Sequence, residues 1–473
     1  MDLKKNCIPQ TVNKIHLTAV CGTGMGALAC MLRDMGYSVS GSDQKVYPPM
    51  STFLIQKGIG IQEGFCAENI AHAPDLVIIG NAVRKDNPEV AAVYEMGLPF
   101  CSMPQALNHF AAYGKKTLLI TGTHGKTTTS ALLAWVLFHA GLDPSFMIGG
   151  ILKNFNSNYR LGNGEYIVIE GDEYDTAFFD KGPKLMHYRP SVAALTSIEF
   201  DHADIFTDLN HVNRIFKGFV DALPADSTLV AFDRDANIDQ LVSNGTTHVV
   251  RYGRQATSSW RLGEVSISPP WIHFEVFKHG KPFGHFQSGL PGEHNLFNTL
   301  AVIAMANAIG IGAQDIAKAL TRFESIKRRQ EIRGVKRGIT VMDDFAHHPT
   351  AVKETIRAVK PFYPNGRLIA VFEPRTNTSM RNVFQGVYPA AFDGADMICI
   401  RKPPLLEKIP ADQRFSSEKL VQDLKNRGKT AWFFPDTAPI IDFLASEAKP
   451  DDLILIMSNG GFDNIHERLL NLL

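Results

Sequence analysis

Short apolar runs alternate with stretches of helical period along almost the whole chain. Residues 14–20, 37–41, 76–80 and 99–102 are brief runs set off by turn-forming residues, and they read as strands. Their repeated pairing with helix-period stretches points to parallel sheets flanked by helices. The run at 14–20 leads into a glycine turn and then an apolar helix that reaches Met35. The same order of strand, glycine turn and long helix restarts at 116–121, with further strands at 166–170, 192–196 and 227–232. Residues 265–277 and 282–288 instead alternate apolar and polar side chains, which predicts an antiparallel hairpin appended to the sheet. Helices begin at Asn295 and Ala313, and a third block from Lys327 places strands at 339–343, 368–372, 397–400 and 453–457. The restarts divide the chain into residues 1–114, 115–326 and 327–473, an α/β protein of several domains.

Composition narrows the class. The 473 residues carry 48 Lys plus Arg and 48 Asp plus Glu, a formal net charge of +0, which removes the electrostatic footprint of a general nucleic-acid binder. The most apolar stretch, 131–138, falls far short of the roughly 18 residues of a membrane span. Lys4 and Lys5 are not followed by the apolar segment of a secretory signal. The six cysteines are scattered without a CxxC pair, and read as reduced thiols with no disulfide frame or zinc site. A cytoplasmic enzyme without nucleic-acid or membrane partners is the expectation.

The first glycine turn is Gly22-Thr23-Gly24-Met25-Gly26-Ala27, a relaxed G-x-G-x-x-A fingerprint, and Asp43 follows where that fingerprint places its ribose-binding acid. A tight turn opening onto a helix N-terminus suits a pyrophosphate. The pattern does not say which one: NAD, a UDP-sugar and a purely structural turn all satisfy it.

The second turn is more specific. Thr121-Gly122-Thr123-His124-Gly125-Lys126-Thr127-Thr128 follows a strand and opens a helix, with Ile120 where the usual P-loop has its first glycine. Backbone N–H groups would cradle phosphates, Lys126 would reach the β- and γ-oxygens, and Thr127 would face magnesium, so ATP or GTP is expected. Oxygen ligands for the ion are available in Glu170-Gly171-Asp172-Glu173-Tyr174-Asp175 and Glu199-Phe200-Asp201-His202-Ala203-Asp204, each following a strand. Most acids in such positions are simply solvated, and ligand chemistry alone does not single out His202, because hard cations prefer oxygen.

Taken in order, these motifs resemble the Mur ligase family, the ATP-dependent ligases that build cell-wall peptide on UDP-N-acetylmuramic acid. To the two glycine turns and Gly41-Ser42-Asp43 the resemblance adds Gly292-Glu293-His294-Asn295, Arg328-Arg329 and Asp343-Asp344-Phe345-Ala346-His347-His348-Pro349. Tyr47-Pro48-Pro49-Met50-Ser51-Thr52, Phe178-Phe179-Asp180-Lys181, Glu373-Pro374-Arg375-Thr376-Asn377-Thr378 and Met457-Ser458-Asn459-Gly460-Gly461-Phe462 point within the family to the branch whose acceptor is a tripeptide.

The resemblance implies an N-terminal Rossmann-like domain for the UDP-sugar, a central P-loop ATPase and a C-terminal Rossmann-like domain for the acceptor. It implies that Gly22, Thr23, Gly24, Met25, Gly26, Ser42 and Asp43 face the UDP moiety. Gly122, Thr123, His124, Gly125, Lys126, Thr127 and Thr128, with Asn295, Arg329 and Asp344, would bind ATP. Thr127, Glu170 and His202 would hold Mg2+, and Lys126, Glu170 and His202 would be the catalytic set. Lys217, the lysine nearest the position that several relatives carbamylate, is not assigned. An acceptor with several carboxylates needs extra donors; Arg375, with its bidentate fork, and Asn377 and Asn459 follow strands of the third block and are the candidates. The reaction implied is amide formation between the lactyl carboxylate of UDP-N-acetylmuramate and L-alanyl-γ-D-glutamyl-meso-diaminopimelate, in peptidoglycan recycling. The rival within the family is the L-alanine-adding ligase. A nicotinamide dehydrogenase or a P-loop switch each needs only one of the two phosphate turns.

Overall fold

The computed structural model describes residues 3–46, 50–243 and 247–473. Tyr47, Pro48 and Pro49 of the segment linked to a tripeptide acceptor lie outside the described residues. The chain falls into two compact units, Met1–Ile198 with Val212–Arg261 and Ala301–Ala319, and Glu199–His211 with Leu262–Leu300 and Leu320–Leu473.

In the first unit, β1 (Lys14–Thr18), β2 (Ser38–Asp43), β3 (Gly60–Glu63), β4 (Leu76–Ile79) and β5 (Phe100–Ser102) form a parallel sheet in the order β3-β2-β1-β4-β5. β4 is buried along its whole length, which explains its unbroken Leu-Val-Ile-Ile sequence. A second sheet is built from β6 (Lys116–Thr121), β7 (Ser145–Leu152), β8 (Ser157–Arg160) and β9 (Tyr166–Gly171), followed in sequence by the small hairpin β10 (Asp175–Ala177) and β11 (Asp180–Pro183). β12 (Pro190–Leu195), β13 (Thr228–Phe232) and β14 (His248–Gly253) extend it, and these seven strands run in the order β14-β13-β12-β6-β9-β7-β8, parallel except for β8. Helix Lys126–His139 leaves the end of β6 and buries most of its length.

The alternating region differs from expectation. The run 265–277 is not one strand: a turn at Pro269 and Pro270 divides it into β15 (Trp260–Ser268) and β16 (Trp271–Lys278). Proline lacks the N–H that a continuing ladder needs, so a Pro-Pro pair ends the strand. β16 then pairs antiparallel with β17 (Lys281–Ser288), as the alternation predicts.

In the second unit, β18 (Glu331–Lys336), β19 (Ile339–Asp344), β20 (Leu368–Phe372), β21 (Met397–Arg401), β22 (Thr430–Phe434) and β23 (Leu453–Met457) form a sheet in the order β18-β19-β23-β20-β21-β22, with only β18 antiparallel. Apolar cores lie on both of its faces, one around Val352, Ile356 and Phe392, the other around Ile440, Ile465 and Leu469. Helix Pro349–Val359 shows why the local sequence folds this way. His348 accepts from Thr350 N at its N-terminus, Pro349 occupies a position that needs no N–H, and Val352, Ile356 and Val359 recur on one buried face. All six cysteines are free, and among the described residues no helix is long and apolar enough to cross a membrane.

Candidate functional site

The first glycine turn lies between β1 and helix Thr23–Asp34, and Gly26 N donates to Gly22 O at 2.8 Å to begin the helix. Asp43, at the end of β2, accepts from Cys21 N at 2.8 Å, so the carboxylate expected to face ribose is tied to the turn itself. Ser42 is fully buried: its hydroxyl donates to Glu89 Oε2 at 2.7 Å and its carbonyl accepts from Ala19 N and Val20 N. Thr23 O accepts from Asn158 of β8, joining the turn to the second sheet of the same unit.

The P-loop is shaped by the end of β12. Thr123 N donates to Ser197 O and His124 N to Ser197 Oγ, both at 2.9 Å, while Thr196 Oγ1 donates to His124 O at 2.6 Å. Gly122 takes φ +126°, and a Cβ there would stand 2.9 Å from the Ser197 backbone, so only glycine fits. Gly125, with φ +81°, opens the helix. Lys126 Nζ donates to Gly122 O at 2.6 Å and pairs with Glu173 Oε2 at 2.8 Å. Burial opposes the lysine's charge, but Glu173, Asp172 and Glu170 outweigh it and hold its pKa above the usual lysine value.

Beside it, Glu170 ties two strands to the loop. Its Oε2 accepts from Thr127 Oγ1 at 3.1 Å and its Oε1 from Gly149 N at 2.6 Å. Burial, and then the neighbouring Asp172, push Glu170 up to about 7. Asp172 is itself drawn down by Lys184 and Lys126 against the effect of burial, with Lys184 Nζ 3.2 Å from its Oδ2. The hydroxyl of Thr127 and a half-buried carboxylate crowded by other acids form a hard oxygen donor set, and they fit a divalent cation such as Mg2+.

The second unit gathers the other predicted ATP residues. Asn295 Nδ2 lies 3.5 Å from Gln330 Oε1, Gln330 N donates to Asp344 Oδ2 at 2.8 Å, and the Arg329 guanidinium stands 4.7 Å over the Phe345 ring. Burial raises the pKa of Asp344, which the Arg329 charge only partly offsets. His202 is in this unit too, with φ +53°, its N–H donating to Asp201 Oδ1 at 2.7 Å. Burial would raise Asp201, but His347, with Nε2 3.8 Å from its Oδ2, and the charges of His202 and His348 hold it far below the carboxylate range. Lys217 forms an exposed pair with Asp221.

At the C-terminal ends of β20 and β23 stand the acceptor candidates. Arg375 Nη1 is 3.7 Å from Glu373 Oε1, and Gly460 lies so close that any Cβ there would collide with the Arg375 side chain. Asn459 Oδ1 is buried and makes no hydrogen bond among the described residues. Asn377 Nδ2 donates to Asp204 Oδ2 at 2.9 Å, and Ala203 N to Thr378 Oγ1 at 3.0 Å, so the loop after the Asp-His pair packs on this segment. Lys184, Glu373 and Gly460 carry no role in the sequence reading, and Asp172 and Glu173 enter it only as possible oxygen ligands for the ion, not as the partners of Lys184 and Lys126. Each lies inside or beside a motif, and its partner is distant in the chain.

Three family models match the chain: Mur ligase family, catalytic domain, over residues 14–115; Mur ligase middle domain over 120–306; and Mur ligase, glutamate ligase domain, over 328–460. The chain is 39% identical over 460 residues to the UDP-N-acetylmuramate–L-alanyl-γ-D-glutamyl-meso-2,6-diaminoheptandioate ligase of Escherichia coli K12, covering 97% of this chain and 98% of the relative. A murein peptide ligase of Psychrobacter arcticus 273-4 superposes with a TM-score of 0.73 at 33% identity, over 97% of this chain and 98% of that one. The UDP-N-acetylmuramate–alanine ligase of Thermotoga maritima superposes with a TM-score of 0.81 at 26% identity, over the same shares.

Proposed function

The chain belongs to the Mur ligase family, and from that premise we propose that it is an ATP-dependent ligase joining UDP-N-acetylmuramate to L-alanyl-γ-D-glutamyl-meso-diaminopimelate, with ADP and phosphate as products. The observation that carries this reading is the coexistence of a diphosphate-type turn tied to Asp43 and a P-loop whose lysine and threonine stand against the carboxylates of Glu173 and Glu170. Higher identity to the tripeptide ligase than to the alanine ligase, together with an arginine at the acceptor loop, favours the tripeptide as acceptor. Residues 1–114 would hold the UDP-sugar, 115–326 the ATP and 327–473 the peptide.

A carboxylate does not form an amide at neutral pH without an activated leaving group. The lactyl carboxylate oxygen attacks the γ-phosphorus, the bond to the β,γ-bridging oxygen breaks, and ADP leaves an acyl phosphate. The P-loop N–H groups and Lys126 hold the phosphates in line, so the protein's work is positioning and charge stabilisation. Lys126 must exchange Glu173 for the phosphate to do so. Thr127, Glu170 and His202 are the residues that would hold Mg2+, which when bound offsets the charge on the transferring group. The α-amine of the peptide then attacks the acyl carbon, loses its proton, and expels phosphate. Arg375, Asn377 and Asn459 orient the peptide's carboxylates and amides. With 18O in the lactyl carboxylate, one labelled oxygen per turnover should appear in the released phosphate. Unlabelled phosphate would rule out the acyl phosphate.

A further inference from the structure

Arg328 has no substrate role in the account above, yet it grips the loop that follows β23. Its Nη2 donates to Ser458 O and to Gly460 O, each at 2.6 Å, and its Nη1 lies 3.5 Å from Asn459 O. Three successive carbonyls therefore turn toward one guanidinium. The residue pays for this in backbone conformation: Arg328 has φ +63°, a left-handed region that side chains with a Cβ avoid. Such a conformation persists where the surroundings over-determine it, and an outlier of this kind points to a job. Here Arg328 N donates to Glu331 Oε2 at 2.8 Å, Nε faces Asp343 Oδ2 at 3.5 Å, and the guanidinium stands 5.2 Å over Phe345.

The opposite side of the loop is fixed as firmly. Glu373 is fully buried, accepts from Ser458 Oγ at 2.7 Å and pairs with Arg401. Gly460 N closes onto Ser458 Oγ at 2.9 Å. Between these two anchors sit Gly460, against which Arg375 lies, and Asn459 with its unsatisfied amide oxygen. Arg329, next in sequence, instead faces the Asp344 cluster. The Nη2 of Arg328 is saturated by carbonyls, so its fork is committed to the loop and not to a phosphate.

We infer that Arg328 is a positioning residue for the acceptor, holding the 458–460 loop so that Arg375, packed against Gly460, presents a preset guanidinium to a carboxylate-bearing peptide. This rests on the reading of that loop as the acceptor site. Preset donors lower the ordering cost of binding, and the loss should therefore appear in acceptor affinity.

The test compares full-length wild type, Arg328→Ala and Arg328→Lys by initial rates in all three substrates, with thermal melting of each. Arg328→Ala should raise the KM for the tripeptide about tenfold or more while the KM values for ATP and UDP-N-acetylmuramate stay within about twofold. Arg328→Lys should recover part of the loss, since an ammonium keeps the charge but cannot reproduce the planar fork; it also carries the test if the alanine variant does not fold. An equal rise in the KM for ATP would overturn the inference, as would an unchanged tripeptide KM with a lowered melting temperature. Wild-type activity with L-alanine instead of tripeptide would refute the proposed function separately. The same KM comparison, run with L-alanine, would then decide the role of Arg328.

Discussion

Lys126 Nζ lies 2.8 Å from Glu173 Oε2, an ion pair with the carboxylate almost wholly buried and the ammonium nearly so. The P-loop lysine is thus held charged at the turn that opens its helix. A buried pair is expensive to break unless a better partner replaces it, and in the proposed site the triphosphate would be that partner.

Removing the lysine should therefore stop the chemistry and leave the first turn untouched. Lys126→Ala should lower kcat by roughly a thousandfold or more, the scale of about 4 kcal/mol of lost charge stabilisation. UDP-N-acetylmuramate binding, measured by calorimetry, should stay as in wild type. Loss of that binding in a folded variant would mean that the two glycine turns do not serve separate ligands.

The charge of Asp43 can be read through its neighbour. Burial, and then Asp43, push the Cys21 thiol up to about 11. At pH 8 only about one molecule in a thousand then carries the reactive thiolate, and alkylation should accelerate about tenfold per pH unit up to the pKa. Asp43→Asn removes the opposing charge, so it should speed alkylation of Cys21 at fixed pH and weaken UDP-N-acetylmuramate binding. Peptide mapping after iodoacetamide, with the exposed Cys7 as internal reference, gives the rates. Equal rates for Cys7 and Cys21 at pH 8 would contradict the assignment.

At the acceptor loop, charge and space can be tested apart. Arg375→Ala should raise the tripeptide KM by about ten- to a hundredfold, the loss of one charge-assisted contact. Gly460→Ala keeps the arginine but places a methyl group where its side chain runs, so it should raise the same KM in the same direction. Neither should alter the KM for ATP. A parallel rise for ATP would assign Arg375 to the nucleotide.

The sequence made the central strands and both glycine turns legible, because their information is local. β20 and β23 are five-residue apolar runs buried at every position, and the P-loop residues adjoin one another. β18 was not legible: it is an edge strand whose side chains are largely exposed, so no apolar pattern marks it. β10 and β11 are too short for periodicity to show. The same limit applies to the site. Glu173 stands in a quoted motif, but its partner Lys126 is 47 residues away, and Arg328 is 130 residues from Ser458. The Asp-His loop follows a strand of the middle block, yet its hydrogen bonds run to Asn377 and Thr378. No single-sequence pattern encodes contacts that only the folded chain creates.

The most direct measurement is phosphate release by the full-length enzyme with ATP, Mg2+ and UDP-N-acetylmuramate, run in parallel with the tripeptide and with L-alanine at equal concentrations. Rapid release with L-alanyl-γ-D-glutamyl-meso-diaminopimelate, with the ligated nucleotide as product and little or no release with L-alanine, is the predicted result. Rapid release with L-alanine and none with the tripeptide would contradict it.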